Sequence, residues 1–301
     1  MRPLILAMLA SLAATPAAAV PAATVATQTP ATGTLVLPLA RAADLAAVGT
    51  SLDAAARDAV GRALSAAAFD YKARSSLSLH GIGGYDRLLI VGLGDKPPTP
   101  LDLRALGGIT AREAGKDKAV ALVASQLPAT AAADVVLGYR LGSYSFDTYK
   151  KPEKPAARAA LTIVGSGDPE GAAAVADAVV FARDLVAEPA NIIYPESFVE
   201  RTRAAFAGVA GVRIEVLDVP AMEKLGMGAI LSVGKGSVRP PRLLMVEYKG
   251  AGAPARPIVL PGKGITFDSG GISLKAGAGM WRMKNDMAGA ASVVGGVLAL
   301  A

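Results

Sequence analysis

The sequence predicts an α/β protein, and three observations carry that prediction. Short apolar runs of strand length alternate with longer segments of helical spacing along most of the chain. At 52% hydrophobic and 19% charged, the 301 residues are enough to bury the cores of two domains. Near the end, an apolar run at residues 257–260 reads as a buried strand, residues 261–286 as a glycine-rich loop and residues 287–301 as a helix. Strand, loop and helix in that order put functional groups at the carboxyl edge of a sheet.

In chain order, Arg2 precedes the apolar run 4–12 and the small residues Ala17-Ala18-Ala19, the order of a secretory signal peptide over residues 1–19 with cleavage near Ala19. The run is too short for a permanent membrane anchor. A periplasmic or secreted protein is therefore expected. The absence of cysteine rules out a disulfide framework but not an oxidising compartment. Residues 20–32, rich in Ala, Thr and Pro, read as a flexible leader.

Residues 33–150 read as an amino-terminal α/β domain. Strands are expected at 34–39, 87–91 and 118–123, with helices at 52–69 and from Asp102, taken as the cap, through Arg112 and Glu113. Gly92-Leu-Gly94 lacks the third glycine of a dinucleotide loop and reads as a turn at a strand end. The single histidine, His80, reads as a surface-turn residue. With one histidine and no cysteine, hydrolysis narrows to carboxylate or metal chemistry unless His80 itself served.

Residues 151–168 read as a proline-rich linker that includes a strand at 161–164, and residues 169–301 as a second domain. It opens with a helix at 169–187 and continues with a helix at 195–207, a strand at 212–217 and a helix at 220–225. Two more strands with turns are expected within 226–237 and 240–248. The formal charge of +6 is scattered, and with 5% aromatic residues no stacking platform is visible, so the basic excess reads as solvated surface and not as a nucleic-acid footprint.

The loop at 261–286 holds the chemistry. Gly262-Lys263 fails the phosphate-loop spacing, because Gly264 stands where Ser or Thr should follow. The glycines could be ordinary turn residues. Yet Asp and Lys occur there together without His or Cys. Hard divalent cations take carboxylate oxygens, and a lysine amine joins only if the cation displaces its proton. A lysine that stays protonated would instead stabilise a developing oxyanion.

Lys263-Gly-Ile-Thr-Phe-Asp268-Ser-Gly-Gly-Ile-Ser-Leu-Lys275, followed by Met283-Lys284-Asn285-Asp286-Met287-Ala288-Gly289-Ala290, resembles the first metal-binding segment of the leucyl aminopeptidase family of two-metal exopeptidases. The likeness extends from about Arg87 to Ala301. It implies a smaller, macro-like amino-terminal domain followed by the first part of a catalytic domain whose mixed sheet is flanked by helices. By the same resemblance Asp268 bridges two divalent cations, Mn2+ or Zn2+ with Mg2+ allowed by ligand type, while Lys263 and Asp286 complete one site. Lys275 is then the catalytic electrophile, and Met283 lines the pocket for the first side chain of a peptide substrate. A homo-hexamer is also implied.

Trp281-Arg282 depart from the family pattern, which usually has two acidic residues there. The family's second segment, Asn-Thr-Asp-Ala-Glu-Gly-Arg, does not occur in these residues, so this chain alone is expected to be weakly active or inactive. The alternative is a non-catalytic nucleotide or nucleic-acid binding protein with a relic metal loop; a plain assembly subunit is the third option.

Overall fold

The computed structural model describes residues 21–114, 117–150, 158–253 and 256–301. The expected signal peptide and both prolines of the expected linker, Pro152 and Pro155, lie outside them. The chain is α/β, as expected.

Six strands form the first sheet: β1 (Ala23–Ala26), β2 (Thr34–Leu39), β3 (Ser76–Ile82), β4 (Tyr85–Gly92), β5 (Val120–Val123) and β6 (Leu161–Val164), in the spatial order β1-β6-β5-β2-β4-β3. All neighbours are parallel except β3 with β4. The helices of this half are α1 (Leu45–Val48), α2 (Ala54–Ala66), α3 (Pro100–Ala114) and α4 (Ala131–Gly142). Because strand side chains alternate between faces, each central strand feeds two cores. Leu35, Leu37, Leu88, Ile90 and Val123 pack with Val60 and Leu64 of α2 on one face. Val36, Leu89, Val91, Leu122 and Ile163 pack with Leu106 of α3 and Val135 of α4 on the other. Burial on both faces explains why these strands read as continuous apolar runs.

Where α3 crosses α4, the backbones touch. A Cβ on Gly138 would lie 1.9 Å from the Arg104 carbonyl oxygen, and one on Gly107 would lie 2.0 Å from that of Val135. Only glycine fits there.

Four expectations for this half need correction. Residues 23–26, expected in a flexible leader, form β1 and pair in register with β6, since even an Ala/Thr-rich segment gains a full ladder beside a parallel edge. The strand at Leu161–Val164, assigned to the linker, is an inner strand of the first sheet, so that sheet reaches past residue 150. His80 sits in the edge strand β3 opposite Arg87 and not in a turn. The start of α3 also differs: the Asp102 carboxylate accepts from the Thr99 amide at 3.1 Å and the Asp102 amide donates to the Thr99 hydroxyl at 3.3 Å. Thr99 is thus the cap, with Asp102 its reciprocal partner three residues on.

The second half contains α5 (Glu170–Ala187), α6 (Pro195–Ala205), β7 (Val212–Leu217), α7 (Val219–Lys224), α8 (Gly228–Gly234), β8 (Leu243–Tyr248) and α9 (Ala288–Leu300). β7 and β8 form an antiparallel pair. A third core joins Leu185 of α5, Phe198 of α6, and Ala291 and Val294 of α9, with Ile214 and Val246 of the pair against it. The segment 226–237, expected to hold a strand, instead carries α8; a short apolar run cannot be assigned to strand or helix by periodicity alone.

The turn between α5 and α6 is fastened by charge. Glu188 is 4% exposed and pairs with Arg201 at 2.7 Å, and the Tyr149 hydroxyl donates to its other oxygen. Removing either partner would leave a buried carboxylate poorly compensated.

Candidate metal centre

From residue 256 the chain runs as irregular backbone until a 3-10 turn over Met280–Met287. The strand expected at residues 257–260 does not form. Ile258, Val259 and Leu260 are 87%, 77% and 53% exposed and enter no ladder, because among the described residues β8 pairs with β7 alone and no strand lies alongside them.

The next residues are tied down. The Lys263 carbonyl accepts from the Ala290 amide at 2.8 Å, locking the backbone at Lys263 to the first turn of α9. Two glycines permit that approach: a Cβ on Gly262 would lie 2.7 Å from the Ala290 Cα, and one on Gly289 would lie 2.9 Å from the Lys263 nitrogen. Lys263 is thereby held beside the turn that carries Asp286, and its Nζ lies 2.8 Å from Asp286 Oδ1.

Asp268 is fixed by a separate turn. The Gly270 amide donates to Asp268 Oδ1 at 2.8 Å, and Lys275 Nζ lies 3.0 Å from Oδ2. The Lys275 amide closes the turn on the Ser269 carbonyl at 3.0 Å. Gly270 has φ +99° there, and a Cβ would fall 2.3 Å from the Ser273 carbonyl oxygen, so no other residue fits without moving the turn. The Lys275 ammonium, foremost, then the Gly270 amide and the nearby charge of Lys263 hold the Asp268 carboxyl below the usual carboxylate range.

Four of the five residues singled out by the sequence therefore meet in two ion pairs on one loop, and Lys263 acts on both carboxylates. Met283 stands half-buried in the 3-10 turn three residues before Asp286. Trp281 is exposed with the Arg282 guanidinium 5.4 Å from its ring centre.

One atom tests whether a cation fits. Asp286 Oδ2 is buried and has no hydrogen-bond partner, an arrangement that is costly unless something else satisfies it. Among the described residues no three His, Cys, Asp or Glu side chains are grouped to hold a metal ion, so a cation here would need the Lys263 amine beside the carboxylate oxygens. Two carboxylates, one of them with an orphaned buried oxygen, and an adjacent amine fit a hard divalent cation.

Some features were not foreseen. Gly289 was missed, although a glycine in the first turn of a helix directly after the loop was the available signal. So was the Lys284 side chain, which donates to the Ala187 carbonyl and fastens the 3-10 turn to the end of α5. Not all of the loop glycines are ordinary turn residues: Gly262 and Gly270 are required by close contacts, whereas a Cβ on Gly264 would meet only an ordinary contact at 3.4 Å and one on Gly271 nothing within 4 Å.

The profile of the cytosol aminopeptidase family's amino-terminal domain matches residues 36–153, and that of its catalytic domain matches residues 180–301. The chain belongs to the cytosol aminopeptidase family. A probable cytosol aminopeptidase of Methylobacterium radiotolerans is 43% identical over 268 residues, 83% of this chain and 53% of the relative. Another, of Geobacter sulfurreducens, is 43% identical over 243 residues, 74% of this chain and 48% of the relative. The chain thus spans about half the length of the curated relatives it matches. Among solved structures, a tomato leucine aminopeptidase mutant superposes with a TM-score of 0.73 at 25% identity, over 93% of this chain and 59% of that one. The bottromycin maturation enzyme BotP, solved in complex with Mn, superposes with a TM-score of 0.67 at 28% identity, over 90% of this chain and 56% of that one.

These relatives correct one expectation. They are named cytosol aminopeptidases, which overturns the assignment to the periplasm or the exterior and points to the cytoplasm. An apolar run behind one arginine is a weak export signal in a chain that is 52% hydrophobic. Among the described residues no helix is long and apolar enough to cross a membrane.

Proposed function

We propose that the protein is a metal-dependent aminopeptidase that removes amino-terminal residues, leucine-like ones preferred, from peptides. The observation that supports this reading best is the unsatisfied, buried Oδ2 of Asp286 beside the Lys263 amine, in a chain whose relatives are named aminopeptidases. Lys263, Asp268 and Asp286 would hold one divalent cation, Mn2+ or Zn2+, and Asp268 would share a second; of the second cation's other ligands, none expected from the resemblance lies within these residues. When bound, such a pair polarises the scissile carbonyl, fixes the substrate's free amine and lowers the pKa of water.

The chain's own groups divide the remaining work. Lys263 must give up its proton to serve as a ligand, which also ends its ion pair with Asp286. Lys275, a fixed positive charge held at the loop by Asp268, donates to the oxyanion as the peptide carbonyl becomes tetrahedral. One well-placed donor of this kind contributes about 3 to 4 kcal/mol to the transition state. Met283 gives the substrate's first side chain an apolar contact, and the family's hexamer is the assembly we expect in solution.

Release of leucine from Leu-Gly-Gly tests the reading. Mn2+-loaded protein should release it, a chelator should stop it, and Lys275→Ala should lower kcat about 100-fold to 1,000-fold. The 301 residues alone should bind Mn2+ but turn over slowly. Release that withstands the chelator, or an unchanged kcat in Lys275→Ala, would overturn the proposal.

A further inference from the structure

α5 and α9 lie side by side, and the groove along them is a cavity of about 670 Å³. Its floor is made of small or apolar side chains, among them Val179 and Ala182 of α5 and Gly295 and Ala299 of α9, while Tyr144 and Trp281 form walls. Three cations also line it: Arg183, Arg282 and Lys284. Among the described residues no acidic side chain does.

The partners of these cations are all neutral. Arg183 donates to the Leu141 carbonyl at 3.1 Å and lies over the Tyr144 ring, Arg282 lies over the Trp281 ring, and Lys284 donates to the Ala187 carbonyl. Among the described residues none of the three forms an ion pair, although most other charged side chains of α5 and the 141–150 segment do or are hydrogen-bonded. A carboxylate entering the groove would therefore gain charge-assisted hydrogen bonds without displacing an existing salt bridge. Its neighbours would bury against the apolar floor and the aromatic walls.

We propose that this groove docks a peptide segment in which acidic and apolar residues alternate. Charge complementarity selects that occupant: an uncharged apolar segment would leave three cations partly desolvated and unpaired, and a basic one would be repelled. The site goes beyond the aminopeptidase reading and does not depend on it. The groove binds through side chains and carboxylates, whereas exopeptidase chemistry needs a free amino terminus.

Trp281, the chain's single tryptophan, lines the groove and reports on it directly. The full chain is titrated with an N-acetylated peptide of alternating Leu and Glu, and with its Leu and Lys counterpart, while Trp281 emission is followed. N-acetylation removes the free amine, so failure here leaves the peptidase reading intact, and success does not rest on it. We expect a saturable emission change with the acidic peptide, weakened by added salt and at least about tenfold weaker in Arg183→Gln/Arg282→Gln, a factor equal to about 1.4 kcal/mol. Circular dichroism of the double variant should match the parent, because both side chains are exposed. Three results would overturn the proposal: no emission change with the acidic peptide, equal binding of the Lys peptide, or an emission change that tracks protein concentration alone, which would assign the groove to a second copy of the chain.

Discussion

The two halves of the molecule treat apolar strand-length segments in opposite ways. In the first sheet, Leu122 of β5 is fully buried between parallel neighbours, whereas Ile258, in an apolar run of similar length, is 87% exposed. Apolar content does not separate the two, although Pro257 removes one amide from the second run. The difference is the neighbour: β5 is flanked by β6 and β2, whereas no strand among the described residues lies beside residues 257–260. A strand is a property of a pair, and apolar character decides only what a pair would bury.

That contrast can be broken most easily by deletion of side-chain volume. Leu122→Ala should cost about 2 to 5 kcal/mol, the range for a buried leucine, whereas Ile258→Ala should stay within about 0.5 kcal/mol. Urea denaturation followed by circular dichroism measures both. Equal losses at the two positions would show that the exposed run is packed in solution.

The next contrast concerns glycines within helices. Gly138→Ala puts a methyl into the Arg104 carbonyl and should destabilise by about 1 to 3 kcal/mol or more. Gly61 lies in the middle of α2, where an added methyl would meet nothing within 4 Å, so Gly61→Ala should stabilise by about 0.5 to 1 kcal/mol. Thermal midpoints moving in opposite directions are the expected result.

A smaller global effect belongs to the loop. Gly270→Ala forces one exposed turn to shift locally, which relieves most of the strain, so the unfolding midpoint should move less than for Gly138→Ala while Mn2+ affinity, read by calorimetry, falls. A normal affinity in that variant would mean that the Asp268 turn does not position the carboxylate.

The smallest effect is a pH dependence between the halves. Burial, with some help from the Glu188 charge, raises the Asp184 carboxyl above its ordinary value, against the Tyr144 hydroxyl that donates to it at 2.9 Å. The folded value lies above the unfolded one, so the fold favours the protonated acid. Its contribution is full below the unfolded value and is lost as pH rises through the folded one. Asp184→Asn, which keeps an acceptor for Tyr144, should therefore match the parent in acid and gain slightly on it towards neutral pH. Urea midpoints across that pH range check the sign.

Much of the architecture was legible because it rests on density and period. The runs at 35–39 and 88–91 are apolar without interruption, and 161–164 is broken only by Thr162, as suits strands buried on both faces, while 169–187 keeps helical spacing over nearly its whole length. What failed depended on partners. β1, Ala-Thr-Val-Ala, has a short small-residue sequence and becomes a strand because β6 offers an edge; residues 257–260 have an apolar run and no edge among the described residues. β3 was passed over since its Ser, Leu and His alternation marks a half-exposed edge strand with weak apolar content. In the loop, the Asp and Lys mixture pointed to chemistry, but it took the family resemblance to single out Lys263, Asp268, Lys275 and Asp286 from a stretch that also holds Arg282 and Lys284. Their pairing was not readable: nothing in the order of residues shows that Lys263 faces Asp286 and Lys275 faces Asp268, because that follows from how Gly262 and Gly289 let the loop close on α9.

The chemistry of the loop turns on whether Asp286 Oδ2 is left open for a cation, and Mn2+ binding measured by electron paramagnetic resonance tests this most directly. The protein should bind Mn2+, Glu215→Gln on the exposed face of β7 should bind it equally well, and Asp286→Asn should lose it. Undiminished Mn2+ binding by Asp286→Asn would show that this oxygen holds no metal.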